Sequence, residues 1–315
     1  MKNIMKNKIS IIAILLIGVM VVFSGQALKA ADFPVTIEDD LGEKVELTEK
    51  PEKIISMAPS MTEMLYSLGL GDRVIGVTNY ADYPKEATQN QKIGSVTDPN
   101  VEKIVSLKPD LVLAAAINKM EYVEKLKSLG IKVAGFNPTN IEETLSTMNK
   151  VGEISGEEYL AKELTKKMRG QLTEIEELVA EKLKENERPD VFYEIWHDPL
   201  TTAGEGTFID DLIHTAGGRN LGALAEGSWP QFDMETMLVE NPEVYISSHH
   251  SSAHTFTKEG LKERPNYSAL NAVKNDRIYF IEQNLVTRPS PRIILGLKDL
   301  VKSIWPDLKD EVEGI

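Results

Sequence analysis

Residues 156–187 read GEEYLAKELTKKMRGQLTEIEELVAEKLKENE, and this stretch predicts one long amphipathic helix. Apolar residues recur there at spacings of three and four, while Glu and Lys fill most of the remaining face. The apolar stripe consists of Leu160, Leu164, Met168, Leu172, Ile175, Val179 and Leu183. A helix of about 28 residues is roughly 40 Å long, which exceeds what a crossover inside a small domain needs. We therefore expect a strut that joins two domains and ends before Pro189, which cannot continue a helix.

Short apolar strands alternate with helical segments on both sides of this helix. Before the helix, strands are predicted at 54–56, 74–77, 111–114 and 133–136; after it, at 191–195, 244–247 and 278–281. Such alternation is typical of parallel α/β sheets. The predicted organisation is an N-terminal α/β lobe at 31–153, a connecting helix at 154–189 and a C-terminal α/β lobe at 190–315.

A short sequence pattern occurs once on each side of the long helix. Glu102 and Glu235 are each followed by six residues, a proline, an acidic residue and an apolar strand. In both places a helix stopped by proline leads directly into a buried strand. The repetition predicts two similar lobes that face each other across a cleft, with the two glutamates at equivalent surface positions.

The first 30 residues have the pattern of a secretory signal peptide. Lys2, Lys6 and Lys8 form a basic start, residues 9–23 are almost entirely apolar, and small residues follow up to Ala31. The apolar run is shorter than the about 20 residues that a membrane span needs. We expect cleavage after Ala30 or Ala27, and a periplasmic or extracellular protein that is soluble once the peptide is removed.

Composition excludes several classes of protein. The 315 residues contain no cysteine, which excludes disulfides, thiolate metal sites, cysteine nucleophiles and a lipid anchor on cysteine. The net charge of −14, without a basic run after the signal peptide, argues against a nucleic-acid partner. We expect a monomer that needs no cofactor.

Several motifs, in this order along the chain, resemble those of the ABC-transporter solute-binding proteins with a rigid interdomain helix, the group that binds cobalamin, haem and ferric siderophores. The motifs are 73–77 RVIGV with 80–84 YADYP, 107–112 LKPDLV, 202–204 TAG with 206–209 GTFI, 216–220 AGGRN, 229–231 WPQ and 288–294 RPSPRII. The segment at Tyr80, the WPQ motif and the SPRIIL run at 290–295 are most similar to the cobalamin-binding members.

This resemblance implies a binding protein, not an enzyme, that delivers a metal-chelate nutrient to a membrane permease and its ATPase. It implies that Tyr80, Trp229 and Arg288 face the ligand. It also implies that Glu102 and Glu235 dock onto arginines of the permease.

The resemblance favours cobalamin or another corrinoid as the ligand. Cobalamin-binding members often carry further aromatic residues where this chain has Ala115, Val96 or Thr97, and Leu285. A ferric siderophore or haem therefore stays open as the alternative ligand.

The loops at the carboxyl ends of the predicted strands supply further candidates, because ligands of open α/β sheets bind there. Trp196 and His197 follow the first strand of the second lobe, and Trp196 would add a flat face for a macrocycle. His249, His250 and His254 follow another strand and are weak candidates for a metal contact, since their spacing fits no zinc template.

The sequence leaves two alternatives to a binding protein for an importer. A secreted metal-dependent hydrolase or chelatase could use the histidine cluster, but the chain has no phosphate-binding glycine loop, no Gly-x-Ser-x-Gly and no His-Glu-x-x-His. A receptor module could instead report its ligand to a membrane sensor, and the sequence does not distinguish it from an importer component.

Overall fold

Two mainly parallel β-sheets, one on each side of a long helix, organise the chain in this computed structural model, which describes residues 33–248 and 257–315. The predicted signal peptide at 1–30 and the three histidines His249, His250 and His254 lie outside the described residues. Within the described ranges, none of the helices combines the length and the hydrophobicity that a membrane span requires.

The N-terminal lobe begins with a hairpin and continues with a five-stranded parallel sheet. The strand order of the sheet is β5-β4-β3-β6-β7. Its strands and helices are β1 Val35–Glu38, β2 Lys44–Leu47, β3 Ile54–Ser56, α1 Pro59–Ser67, β4 Val74–Val77, β5 Gln91–Lys92, α2 Val101–Leu107, β6 Leu111–Ala115, α3 Met120–Ser128, β7 Val133–Phe136 and α4 Ile141–Ser155. β3, β6 and β7 are short apolar runs because helices cover both faces of the sheet.

The C-terminal lobe repeats this topology. Its sheet has the order β10-β8-β11-β12, which matches the order β4-β3-β6-β7 of the first lobe, and one extra strand, β9, pairs antiparallel with β8. Its elements are β8 Asp190–His197, β9 Leu200–Thr202, α6 Phe208–Thr215, β10 Arg219–Asn220, α7 Met234–Glu240, β11 Val244–Ser247, α8 Lys258–Lys262, α9 Asn271–Lys274, β12 Ile278–Phe280, α10 Gln283–Thr287, α11 Ile293–Ile304 and α12 Lys309–Gly314. The prediction of two similar lobes with mainly parallel sheets is confirmed.

The long helix α5 spans Glu158–Leu183 and connects the two lobes. Its buried stripe is Ala161, Thr165, Met168, Leu172, Ile175 and Val179. With 26 residues it is about 39 Å long. It ends six residues before Pro189, earlier than the proline alone suggests, because residues 184–187 are all polar and exposed and offer nothing to bury.

One hydrophobic cluster runs without interruption from the first sheet through α5 into the second sheet. It contains Leu113 of β6, Ile175 of α5 and Ile246 of β11 together. α4 and α5 approach closely at Gly152, where an added Cβ would lie 2.2 Å from the Cβ of Ala161. The described residues between 33 and 315 accordingly form one compact unit, within which the two sheets mark the lobes.

A hydrogen bond from a backbone N–H to a carboxyl group joins the lobes where α4 meets α6. The backbone N–H of Ile141, at the start of α4, donates a hydrogen bond to Asp211 Oδ2 of α6 over 3.1 Å. Burial raises the pKa of Asp211 above its ordinary value, and the hydrogen bond from Ile141 offsets only part of this. Burial, together with the charges of Glu142 and Asp211, also raises the pKa of Glu176 on α5. The ionised form of Asp211 is therefore less favourable in the folded protein than in the unfolded chain.

Asp211→Asn should raise the melting temperature at pH 7 and leave it unchanged near pH 3. A carboxyl that ionises less readily in the folded than in the unfolded state destabilises the fold above its folded pKa. That penalty disappears as the pH falls below the unfolded pKa, while asparagine keeps an oxygen that accepts from Ile141. Thermal unfolding of both proteins across this pH range measures the difference in melting temperature. A lower melting temperature for Asp211→Asn at pH 7 would contradict the prediction.

Candidate ligand site between the lobes

A cavity of about 910 Å³ lies between the two lobes. Both lobes contribute the carboxyl ends of strands and the first turns of helices, which is where open α/β sheets bind ligands. Ala58, Pro59 and Met61 line it at the start of α1, and Thr207 and Phe208 line it at the start of α6. The predicted cleft between the lobes is thus present, and its size falls within the range of pockets for small-molecule ligands.

The wall of the N-terminal lobe combines one exposed aromatic ring with small apolar side chains. Tyr80 follows β4 and is 58% exposed, on a loop held by a hydrogen bond of 2.9 Å from the Asn79 N–H to the Gly94 carbonyl. Val96 and Ala115, two of the positions where the sequence departs from the cobalamin-binding pattern, also line the cavity. The third such position, Leu285, is buried in the hydrophobic core instead.

The wall of the C-terminal lobe presents Trp229, which is 58% exposed. Its loop is bound to β9 by backbone hydrogen bonds, from the Thr202 N–H to the Pro230 carbonyl at 3.1 Å and from the Phe232 N–H to the Leu200 carbonyl at 2.9 Å. Tight approach is needed here, since a Cβ at Gly204 would lie 1.9 Å from the Gly227 carbonyl oxygen. The indole is therefore held against the cavity by a fixed loop.

Arg288 lines the cavity, but its guanidinium group also joins the lobes. Its Nη1 donates to Glu63 Oε1 at 3.0 Å and to Asp82 Oδ1 at 2.6 Å, and its Nη2 lies 3.3 Å from Asp82 Oδ2 and 3.4 Å from the Tyr80 carbonyl. Arg292, at the start of α11, also crosses to the N-terminal lobe and stacks over the Tyr83 ring at 3.9 Å.

Glu63, on α1, is the centre of these contacts, and its side chain is 1% exposed. It accepts from Arg292 Nε at 2.9 Å, from Arg292 Nη2 at 2.7 Å and from Ser290 Oγ at 2.7 Å, in addition to Arg288. We call Glu63, Asp82, Arg288 and Arg292 the interlobe ion cluster. Sequence reasoning missed Glu63, because its partners lie more than 220 residues further along the chain and no local pattern indicates them.

Asp82 is the exposed member of the interlobe ion cluster. Burial alone would raise the pKa of its carboxyl, but the hydrogen bonds and charge of Arg288 outweigh this and hold the pKa below its ordinary value. Asp82 is therefore ionised at neutral pH, and it forms an ion pair with Arg288 without itself lining the cavity.

Trp196 and His197 do not line this cavity. β8 runs on past its pairing with β11 to form a hairpin with β9, and this extension includes both residues. The Trp196 Nε1–H donates to the Asp198 carbonyl at 2.9 Å. Their predicted role in ligand binding gains no support from the cavity.

The described residues contain no group of three or more His, Cys, Asp or Glu side chains arranged to hold a metal ion. Because His249, His250 and His254 lie outside those residues, their predicted metal contact stays a prediction.

Glu102 and Glu235 occupy matching positions on matching helices. Each is the exposed second residue of a seven-residue helix, α2 or α7. Each helix starts at a side-chain cap, Asn100 or Asp233, and ends at a residue in the left-handed conformation. Each glutamate also stands six positions after a residue that lines the cavity, Val96 or Trp229.

Two lobes of one topology, a rigid helix between them and an aromatic-walled cleft define a two-lobed solute-binding protein. The chain belongs to the family of periplasmic binding proteins, whose family model matches residues 54–285. This is a family of solute-binding proteins, so the prediction of a binding component of an ABC importer, without enzymatic activity, is confirmed.

Three similar proteins illustrate the range of the family. An uncharacterized ABC transporter substrate-binding lipoprotein of Bacillus subtilis is 37% identical over 284 residues, which cover 89% of this chain and 88% of the relative. A vitamin B12-binding protein of Vibrio cholerae is 29% identical over 259 residues, 82% of this chain and 89% of the relative. A solved structure of a possible iron-binding, periplasmic solute-binding protein of Staphylococcus epidermidis has a TM-score of 0.70 and 32% identity, covering 82% of this chain and 100% of that one.

Proposed function

We propose that this protein captures cobalamin or a related corrinoid outside the cytoplasm and delivers it to the permease of an ABC importer. The observation that carries the proposal is a cavity of about 910 Å³ with an exposed aromatic ring from each lobe, Tyr80 and Trp229, and a largely apolar lining. A flat, bulky macrocycle gains most from such walls, because aromatic faces bury large areas and stack on rings.

The charge of the cavity supports the same ligand. Among the described residues that line it, Arg288 alone is charged, and two carboxylates of the interlobe ion cluster already compensate it. Binding a multiply charged chelate here would require partners that these walls do not offer. Cobalamin carries many neutral amides and fits a cavity whose polar groups are mostly hydrogen-bonding rather than charged.

Vitamin B12-binding proteins are among the relatives, which supports this proposal. For this chain the proposal includes removal of residues 1–30 as a signal peptide and a soluble monomer without a lipid anchor. It also includes lobe boundaries at 31–153 and 190–315, with 154–189 as the connection.

A second candidate is an iron chelate, either haem or a ferric siderophore. It is favoured by Val96 and Ala115, which leave the N-terminal wall without the further aromatic rings that a corrinoid would stack on. The similar protein of Staphylococcus epidermidis, described as possibly iron-binding, points the same way.

Titration of the mature protein by tryptophan fluorescence tests these ligands directly. Cyanocobalamin, haemin and a panel of ferric siderophores are added in turn, with correction for light absorbed by the ligand. Saturable quenching at submicromolar cyanocobalamin is the expected result. A response to an iron chelate alone would replace the corrinoid by the second candidate.

Trp229→Ala should weaken binding of the ligand found in this way. Loss of one stacking ring costs about 1 kcal/mol or more, a roughly fivefold or greater rise in Kd. Trp196→Ala is the matched control, because Trp196 is also an exposed indole of the C-terminal lobe but lies outside the cavity. If Trp196→Ala weakens binding as much as Trp229→Ala, the ligand lies elsewhere than in this cavity.

We further propose that α2 and α7 dock on the permease. Besides Glu102 and Glu235, each helix exposes an apolar residue three positions later, Val105 or Leu238, on the same face of the helix. An exposed carboxylate beside an apolar side chain suits a surface that offers an arginine with a buried stem. The two helices present this pair symmetrically, one from each lobe.

A further inference from the structure

We propose that Asp82 sets the charge preference of the cleft: by pairing with Arg288, it makes the site favour uncharged chelates over anionic ones. The inference rests on the proposed function only in taking this cleft as the ligand site. Asp82 is a specificity-determining residue that acts through another side chain, because Arg288 lines the cavity and Asp82 does not.

The pairing geometry shows how Asp82 holds the arginine. Both Asp82 oxygens face the guanidinium group, at 2.6 Å from Nη1 and 3.3 Å from Nη2. The Arg288 side chain is only 14% exposed. A guanidinium group held by a carboxylate in this two-pronged way has few donors left for a second anion.

The surrounding charges are balanced, so that removing one acid leaves an excess of positive charge. Two guanidinium groups, Arg288 and Arg292, face two carboxylates, Glu63 and Asp82. One further charge of each sign lies around these four groups. Lys92 on β5 interacts electrostatically with Asp82, and Glu282 lies 3.9 Å from Arg292, so these two outer charges also balance each other. A neutral side chain at position 82 would leave the positive charge of Arg288 only partly compensated at the edge of the cavity.

Two other positive features of the cleft, the starts of α4 and α6, are compensated by carboxylates, whereas the start of α1 has no such cap. The helix ends that open on the cavity carry partial positive charge on their free N–H groups. Glu143 accepts from the Thr139 N–H at 2.7 Å before α4, and Asp210 accepts from the Gly206 N–H at 2.9 Å before α6. Asp82 is therefore the acid near the cleft whose removal should raise the attraction for an anion most, since it faces a full charge.

The test compares Asp82→Asn with Asp72→Asn. Both substitutions remove one negative charge from the same lobe. Exposed Asp72 precedes β4 and Asp82 follows it, so the two positions lie at opposite ends of that strand. Asparagine keeps one oxygen that can accept from Arg288, so one of the two hydrogen bonds can be retained. Dissociation constants are measured for cyanocobalamin, for haemin with its two propionates, and for an anionic ferric tris-catecholate.

The expected result is a gain of at least about tenfold in affinity for the two anions in Asp82→Asn relative to Asp72→Asn, with cyanocobalamin changed much less. Adding Arg288→Gln to Asp82→Asn should abolish the gain. If the gain came only from a loosened loop, loss of Arg288 would leave it in place. Equal anion affinities in the two single variants overturn the inference, as does a gain that survives loss of Arg288.

The outcome separates this inference from the proposed function. If the unaltered protein does not bind cyanocobalamin, the corrinoid proposal fails, while the comparison of anion affinities between the two variants still decides the role of Asp82. If cyanocobalamin binds but the variants bind anions equally, the proposed function stands and Asp82 is only a structural residue. Thermal unfolding of each variant confirms that the comparison is made on folded protein.

Discussion

Glu63→Ala should lower the free energy of unfolding by about 3–5 kcal/mol, the range measured when one partner of a buried ion pair is removed. Glu63 accepts hydrogen bonds from two arginines and one serine, all from the other lobe. Without it, the largely buried guanidinium groups of Arg288 and Arg292 lose their shared counter-charge. Urea unfolding of the purified protein, followed by tryptophan fluorescence, measures the change.

Glu46→Ala provides the matched control, because it removes an exposed carboxylate from β2 in the same lobe. Surface changes of that kind fall within about 0.5 kcal/mol. Glu63→Gln keeps the shape and one acceptor, so its loss should lie between those of the two alanine variants. A Glu63→Ala variant as stable as Glu46→Ala would mean that water or a movement of the lobes compensates the arginines.

Glu102→Ala combined with Glu235→Ala should reduce uptake by the cognate importer at least about tenfold while leaving ligand affinity unchanged. The two carboxylates are exposed, one from each lobe, and neither lines the cavity. Removing both deletes the charge pair that would position the lobes on the permease. Transport into proteoliposomes that contain the permease and ATPase, with the binding protein added outside, measures the loss.

Glu46→Ala with Glu313→Ala is the control for charge alone, since both glutamates are exposed and lie outside α2 and α7. Uptake should be normal in that variant. Each single docking variant should retain part of the activity, because the other lobe still engages. Unimpaired uptake by the Glu102 and Glu235 double variant would show that docking uses another surface.

The sequence was sufficient for the fold because its signals are local. The apolar stripe of α5 and the proline that separates α2 from β6 each lie within a window of one helix. The stripe was predicted correctly from Met168 to Val179, but at its start Leu160 is exposed and Ala161 and Thr165 are buried instead. The match between Glu102 and Glu235 also extends to the observed topology, since each stands on the helix that leads into the corresponding strand, β6 or β11.

The candidate site was predictable only in part because it depends on distant contacts. Tyr80, Trp229 and Arg288 could be placed at the cleft from strand ends and the family resemblance. The position of Trp196 could not be predicted, because it depends on the hairpin that β8 forms with β9, a strand of only three residues. Glu63 gave no signal at all, because a single acid among apolar residues of a helix becomes meaningful only when the arginines of the other lobe are in place.

The hydrophobic cluster that passes through both lobes has a consequence for unloading. Rotating one lobe away from the other would pull apolar side chains apart on both sides of α5, so the width of the mouth is set by interior packing rather than by a free hinge. Spontaneous opening of the lobes is then a poor exit route for a bound ligand. We therefore expect release to require work supplied by the transporter on docking.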